Sequence, residues 1–297
     1  MGYGLGLVYI WFVILGVMGG VLGVWVALEM GTVIVVIWGG LMYSRVSGLM
    51  EYFFVQALSS LALVGGAISG VMPLLYGGIL LKFGLFPCMG WVYRVVLGCG
   101  DLLGFGFILG AQKIVPLQFM WGCLGGFSSG IFNGVCGISV IFGLMAMAYS
   151  SGVSSLIVGS SFMHTAWVLL LMLWGSGYWL HYFSGYLLLV GGIAVSSYLG
   201  LCSVYASAVL TLAAVPPLVG FIFKLISVLG VGWERWVVVL LVILAGCVSI
   251  CFYVKPLMSC LMSELEGVPS IWKGGGCSVS VALCVSLLFM WGCILVI

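Results

Sequence analysis

Between Arg235 and Lys255 no side chain carries a charge, and that run of mostly Val, Leu, Ile and Ala is long enough to cross a bilayer as a helix. Comparable runs follow one another along most of the chain. Only 5% of the 297 residues are charged and 65% are hydrophobic, whereas a soluble domain carries about 25% charged residues. A chain with so few polar groups cannot cover a water-facing surface, so it is expected to be a polytopic membrane protein. Its apolar residues run continuously and do not alternate, which favours helices over a β-barrel. The expected fold is an all-α membrane helix bundle.

At roughly 20 residues per span, the chain divides into about eleven spans. They fall near 3–20, 22–42, 48–72, 74–97, 102–122, 127–149, 152–174, 178–200, 205–230, 235–257 and 276–297, as a single transmembrane domain over 1–297. The one hydrophilic connector of any length, 259–274, contains Glu264, Glu266 and Lys273. With no soluble domain, redox and nucleotide chemistry is left to other polypeptides. An odd number of spans puts the termini on opposite sides. Arg45, Arg94, Lys255 and Lys273 then share the N-terminal side and only Arg235 lies across, which keeps the N-terminus on the side that is not translocated.

Basic residues are scattered singly and offer no patch for nucleic acid. The 11 cysteines form no C-x-x-C pair or ligand cluster, so they read as small apolar filler, with neither a metal site nor a catalytic centre. The favoured Val, Gly, Trp, Cys and Phe have codons rich in G and U, and Asn133 is the sole asparagine. That bias suits a small organelle genome.

Four ionisable residues lie well inside the spans: Glu29, Lys82, Lys113 and Lys224. An ionised side chain left in hydrocarbon costs about 2.5–3.5 kcal/mol on the insertion scale, so each is expected to face the bundle interior. An acid and an amine can hold charge as a pair, and desolvation disfavours the charged form of any amine. Such groups joined by water can pass a proton. Pro87 follows Lys82, and Pro216-Pro217 precedes Lys224. These prolines remove amide donors and are expected to break their helices, while Pro116, shortly after Lys113, bends its helix less. A break at membrane depth needs protein or a water-filled cavity around it, and broken spans lining a midplane site are a transporter device. The other reading is that the charges only pack or snorkel. His164, mid-span, either relays protons between waters or is a hydrogen-bonded packing residue. Glu51, six residues after Arg45, is expected as an interfacial pair or a snorkelled carboxylate.

Six motifs in register carry a resemblance: Trp25-x-x-Leu28-Glu29-Met30, Tyr52-Phe53-x-x-Gln56-Ala57, Lys82-Phe83-Gly84-Leu85-x-Pro87-x-x-x-Trp91, Gln112-Lys113-x-x-Pro116, Ser160-Ser161-x-x-His164-x-x-Trp167 and Pro216-Pro217-Leu218-x-Gly220-Phe221-x-x-Lys224. In this order they resemble the chain 2 family of respiratory NADH:ubiquinone oxidoreductase. The resemblance implies an antiporter-like subunit of the membrane arm of complex I, of the eleven-span animal form, in the mitochondrial inner membrane with its N-terminus in the matrix. It implies Glu29 and Lys82 as a coupled pair, Lys113 as the central relay and Lys224 as the terminal site. NADH, FMN, iron–sulfur clusters and ubiquinone would be bound by other subunits and none by this chain, whose partners are membrane-arm subunits and the lipid bilayer. The chain departs from the family pattern where Cys88-Met89-Gly90 follows Pro87, where Arg94 stands in place of a glutamate, and where Glu51 stands in place of a lysine. Two other functions share the same residue pattern: a stand-alone cation/proton antiporter, and a membrane subunit whose buried charges are structural.

Overall fold

The computed structural model of the chain describes residues 8–14, 16, 20–42, 46–98, 108–123, 129–199, 202–216, 218–229, 231 and 236–265. The expected span at 276–297, the connector residues Glu266 and Lys273, and Pro217 lie outside these residues. Among the described residues all regular structure is helical, with no strand. In chain order the helices are α1 (Gly20–Met42), α2 (Val46–Ser69), α3 (Met72–Phe83), α4 (Gly90–Gly98), a 3₁₀ turn (Ala111–Lys113), α5 (Ile114–Cys123), α6 (Ser129–Ala148), α7 (Val153–Leu173), α8 (Tyr178–Leu199), α9 (Cys202–Ala213), α10 (Val219–Leu229) and α11 (Trp236–Leu265). Six of them, α1, α2, α6, α7, α8 and α11, are long and apolar enough to cross a membrane. The protein is an all-α, multi-pass membrane helix bundle. Two compact units divide it, Met1–Ser139 and Val140–Ile297.

In the first unit α2 packs against α1, α3 and α4. Its buried face carries Tyr52, Gln56, Ser59, Ser60 and Leu63, while Phe54, Leu58, Leu61 and Ile68 are exposed. That sorting inverts the soluble rule, since lipid solvates the apolar face and polar groups turn inward to find partners.

Among the described residues of this unit, two helices are preceded or followed by a break. Helix α3 ends at Gly84, whose φ of 63° is the left-handed conformation that glycine adopts without steric cost. A Cβ there would also run into Val92. The carbonyls freed at this end are taken up locally. Gly84 N–H donates to Leu81 O (3.3 Å), Leu85 N–H to Leu80 O (3.0 Å), and Trp91 Nε1–H to Leu81 O (3.0 Å). Pro87 follows through a cis Phe86–Pro87 bond, and α4 begins three residues later at Gly90. The second break sits at Gly110, from which the 3₁₀ turn leads into α5. Pro116 falls in the first turn of α5, where a missing N–H costs little, so the interruption precedes it.

In the second unit α7 is buried over almost its whole length and packs against α8 and α11. A mostly apolar helix whose few polar groups are small or hydrogen-bonded belongs at such a centre. Helix α8 also packs on α9 and α10. Helix α9 stops at Ala213, and Ala214 takes a φ of 59°, a conformation that costs a residue with a Cβ about 1–2 kcal/mol. Ala214 N–H donates to Thr211 O (3.0 Å), Pro216 lies in the gap, and α10 resumes at Val219. Gly220 is required here, because a Cβ on it would collide with the Thr211 carbonyl. Its absence lets the two half-helices pass in contact.

Candidate functional site

In the first unit Glu29 and Lys82 both meet α2. Ser60, fully buried on that helix, donates its hydroxyl to Glu29 Oε1 on α1, and Thr32 Oγ1 donates to the Glu29 carbonyl (2.7 Å). One helical turn before Ser60, the Gln56 carbonyl accepts a hydrogen bond from Lys82 Nζ (3.3 Å) at the end of α3. Lys82 is 8% exposed and Lys113 7%, so both amines point into protein and away from lipid. Carbonyl and carboxylate oxygens can hold a protonated amine there, and a buried ammonium needs such partners.

Lys113 ends the 3₁₀ turn, which is held at the Ala111 carbonyl and at both ends of the Gln112 amide. Tyr9 OH donates to Ala111 O (2.7 Å), Gln112 Nε2 donates to Gly31 O (3.1 Å), and Tyr52 OH donates to Gln112 Oε1. Tyr9, Tyr52, Gln56, Ser60 and Gln112 were not singled out from sequence as site residues. The available signal was helical spacing: Tyr52, Gln56 and Ser60 recur every fourth residue within an apolar run, which puts them on one face.

The partner of Glu51 is Arg94, on α4. Arg94 Nε lies 2.7 and 2.9 Å from Glu51 Oε1 and Oε2, and Nη2 completes a forked ion pair. Two residues read separately from the sequence are therefore one pair joining α2 and α4. Arg94 is 67% exposed, so the pair lies at the surface of this unit.

In the second unit His164 on α7 is buried and shares a hydrogen bond between Nδ1 and Tyr182 OH (2.7 Å) on α8. The Tyr186 ring lies against the imidazole at 4.9 Å between centroids. A crevice of about 20 Å³ is lined by His164, Tyr182, Tyr186, Thr211 and Lys224. Sequence reasoning named His164 and Lys224 separately, and the structure brings them to the same crevice. On its other side Lys224 borders a larger cavity of about 300 Å³, walled by Trp167, Tyr182, Pro216, Phe221, Val242 and Ile243 among others. Trp167 Nε1 donates to Ser227 Oγ (2.9 Å), and Ser227 in turn donates to the Lys224 carbonyl (2.7 Å), fixing the turn of α10 that carries the lysine. Pro216 forms part of the cavity wall at the helix break, while Pro217 lies outside the described residues.

No family model matches the chain. It is 28% identical over 279 residues to NADH-ubiquinone oxidoreductase chain 2 of Mytilus edulis, covering 84% of this chain and 85% of the relative. The proteins of the same name from Albinaria caerulea and Lumbricus terrestris are 27% and 24% identical over 248 and 240 residues, covering 78% and 71% of this chain and 80% and 71% of each relative. Among solved structures, a chain of respiratory complex I from Thermus thermophilus with bound aureothin aligns with a TM-score of 0.67 at 19% identity, over 91% of this chain and 72% of that chain. The last likeness is one of fold. The resemblance carried by the six motifs is thus borne out over most of the chain.

Proposed function

We propose that the chain, similar over most of its length to chain 2 of NADH-ubiquinone oxidoreductase, is an antiporter-like subunit of that complex's membrane arm. In this reading it relays protons along Glu29, Lys82, Lys113, His164 and Lys224 while quinone is reduced in other subunits. Those subunits hold NADH, FMN, iron–sulfur clusters and ubiquinone. The complex lies in the mitochondrial inner membrane, with this chain's N-terminus in the matrix.

The observation that carries the reading is that Glu29, from α1, and Lys82, from α3, meet successive turns of α2. Ser60 and the Gln56 carbonyl stabilise the carboxylate and the ammonium respectively. In the second unit a crevice of about 20 Å³ gives room for one water, with imidazole, phenol and amine groups around it. A water there would connect His164 to Lys224, and imidazole can accept on one nitrogen while donating from the other.

The test is Lys113→Ala and Glu29→Ala in the assembled complex, with proton translocation and coupled quinone reduction measured together. Each substitution is expected to lower both by about tenfold or more, as loss of a proton-transfer group does. Wild-type pumping in both variants, with assembly verified, leaves the buried charges a structural role. Proton–cation exchange by the isolated chain in liposomes identifies a stand-alone antiporter instead.

A further inference from the structure

Tyr52, Gln56 and Ser60 stand at positions i, i+4 and i+8 of α2, and each meets a different segment of the proposed axis. Ser60 meets Glu29, the Gln56 carbonyl meets Lys82, and Tyr52 meets Gln112, the residue before Lys113. A helix rises 1.5 Å per residue, so these contacts follow one another at intervals of about 6 Å. Two of them reach ionisable side chains directly. The third reaches Lys113 only through the turn on which it rides.

That turn needs holding. Gly110 lies outside the α-helical region (φ −107°, ψ −80°), and 3₁₀ bonds from Lys113 N–H to Gly110 O (3.1 Å) and from Ile114 N–H to Ala111 O close the segment. Such turns have poorer hydrogen-bond geometry than an α-helix and fewer bonds per residue. Two side chains and one main-chain carbonyl, from three distant places, add to these bonds. Tyr9 caps the Ala111 carbonyl, and the Gln112 amide is used at both ends, receiving from Tyr52 and donating to the Gly31 carbonyl. Tyr52 is fully buried and its ring lies beside Trp91 at 5.9 Å, so its hydroxyl has little freedom to move. A glutamine spanning a phenol and a main-chain carbonyl, one residue before a buried amine, fixes the direction in which that amine leaves the backbone.

We propose that Tyr52 and Gln112 are positioning residues for Lys113: their hydrogen bond, anchored on α1 through Gly31, locks the 3₁₀ turn and so sets where the Lys113 amine sits relative to α2. This rests on the reading of Lys113 as a proton-relay residue. The hydroxyl and the amide touch no transferred proton; they act through the geometry of the turn.

The experiment uses the assembled complex and compares Tyr52→Phe, Gln112→Leu, the double variant, Gln112→Glu and Lys113→Ala, with assembly, proton translocation and its pH profile measured for each. Tyr52→Phe and Gln112→Leu are each expected to lower translocation about three- to tenfold at wild-type assembly and to displace the pH profile, because one buried partner of a hydrogen bond has been lost. The double variant is expected to be no worse than the more severe single, since both remove the same link. Gln112→Glu in its neutral form keeps an acceptor for Tyr52 and a donor for the Gly31 carbonyl, and is expected to retain most of the activity. Losses that multiply in the double variant, or an unchanged rate and pH profile in both singles while Lys113→Ala is impaired, overturn the positioning role alone. Wild-type pumping by Lys113→Ala overturns the relay reading first. Should Tyr52→Phe not assemble, Gln112→Leu against Gln112→Glu makes the same comparison, with equal loss in the two overturning the proposal.

Discussion

The two units surround their ionisable groups differently. In the first, Lys82 is bonded to a main-chain carbonyl, Glu29 to a serine hydroxyl, and the turn of Lys113 is held by Tyr9 and by the Tyr52–Gln112 link. These are direct protein contacts between packed helices. In the second, His164 is bonded to Tyr182, yet both it and Lys224 line a crevice of about 20 Å³, and Lys224 also lines a cavity of about 300 Å³. A directly bonded site keeps its geometry but offers a proton few routes. A site bordering a cavity offers routes but needs its walls fixed independently. This accounts for what surrounds Lys224: Trp167 and Ser227 brace its own turn, and Gly220 brings α10 onto the end of α9.

The sharpest way to break this contrast is at those walls. Gly220→Ala sets a Cβ against the Thr211 carbonyl, so α10 must move away from α9, and overpacking of this kind costs about 1–3 kcal/mol or more. The expected result is a lower melting temperature of the assembled complex, or a reduced yield of it, read by thermal denaturation and native electrophoresis. Unchanged stability shows that the walls of the second unit are soft. A smaller effect is expected from Tyr182→Phe. It removes the hydroxyl that fixes the His164 ring but leaves the crevice open, so translocation should fall only about threefold, below the loss from breaking a directly bonded site in the first unit. A loss as large as that of Lys113→Ala would show that the second unit also depends on one fixed bond.

The smallest effect concerns the exposed pair on the first unit. Glu51→Lys and Arg94→Glu, made singly, put like charges at forked-bond distance and should lower assembly slightly; the double reversal should restore it. Equal assembly in all three variants shows the pair to be dispensable. An unrestored double variant shows that the sign of the pair, and so a neighbour beyond this chain, matters.

The breaks were legible in the sequence to different degrees. Pro87 and Pro216 do stand in interruptions, because a residue without an N–H cannot continue the helical ladder. Pro116 was less informative. It sits in the first turn of α5, and the interruption at Lys113 belongs to Gly110 and the 3₁₀ turn, which no proline announces. The four ionisable residues were conspicuous for the simplest reason, the cost of charge in hydrocarbon. Their partners were not. A spacing of four residues places Tyr52, Gln56 and Ser60 on one face of α2, yet nothing local says which helix that face meets. Glu51 and Arg94, 43 residues apart, each looked like an isolated departure until the packing of α2 against α4 made them one pair.

The amino-acid order alone settled that this chain is helical and membrane-embedded, since uncharged runs of that length leave a backbone no other way to satisfy itself in lipid. It also marked the residues that must be shielded there. What only the tertiary structure decided was who shields them: Ser60 for Glu29, the Gln56 carbonyl for Lys82, Tyr52 through Gln112 for the turn of Lys113, and a shared crevice for His164 and Lys224. Hydrophobicity and periodicity act along the chain and can be read there. A hydrogen bond between helices depends on which faces meet and at what height, and those are fixed when the bundle packs.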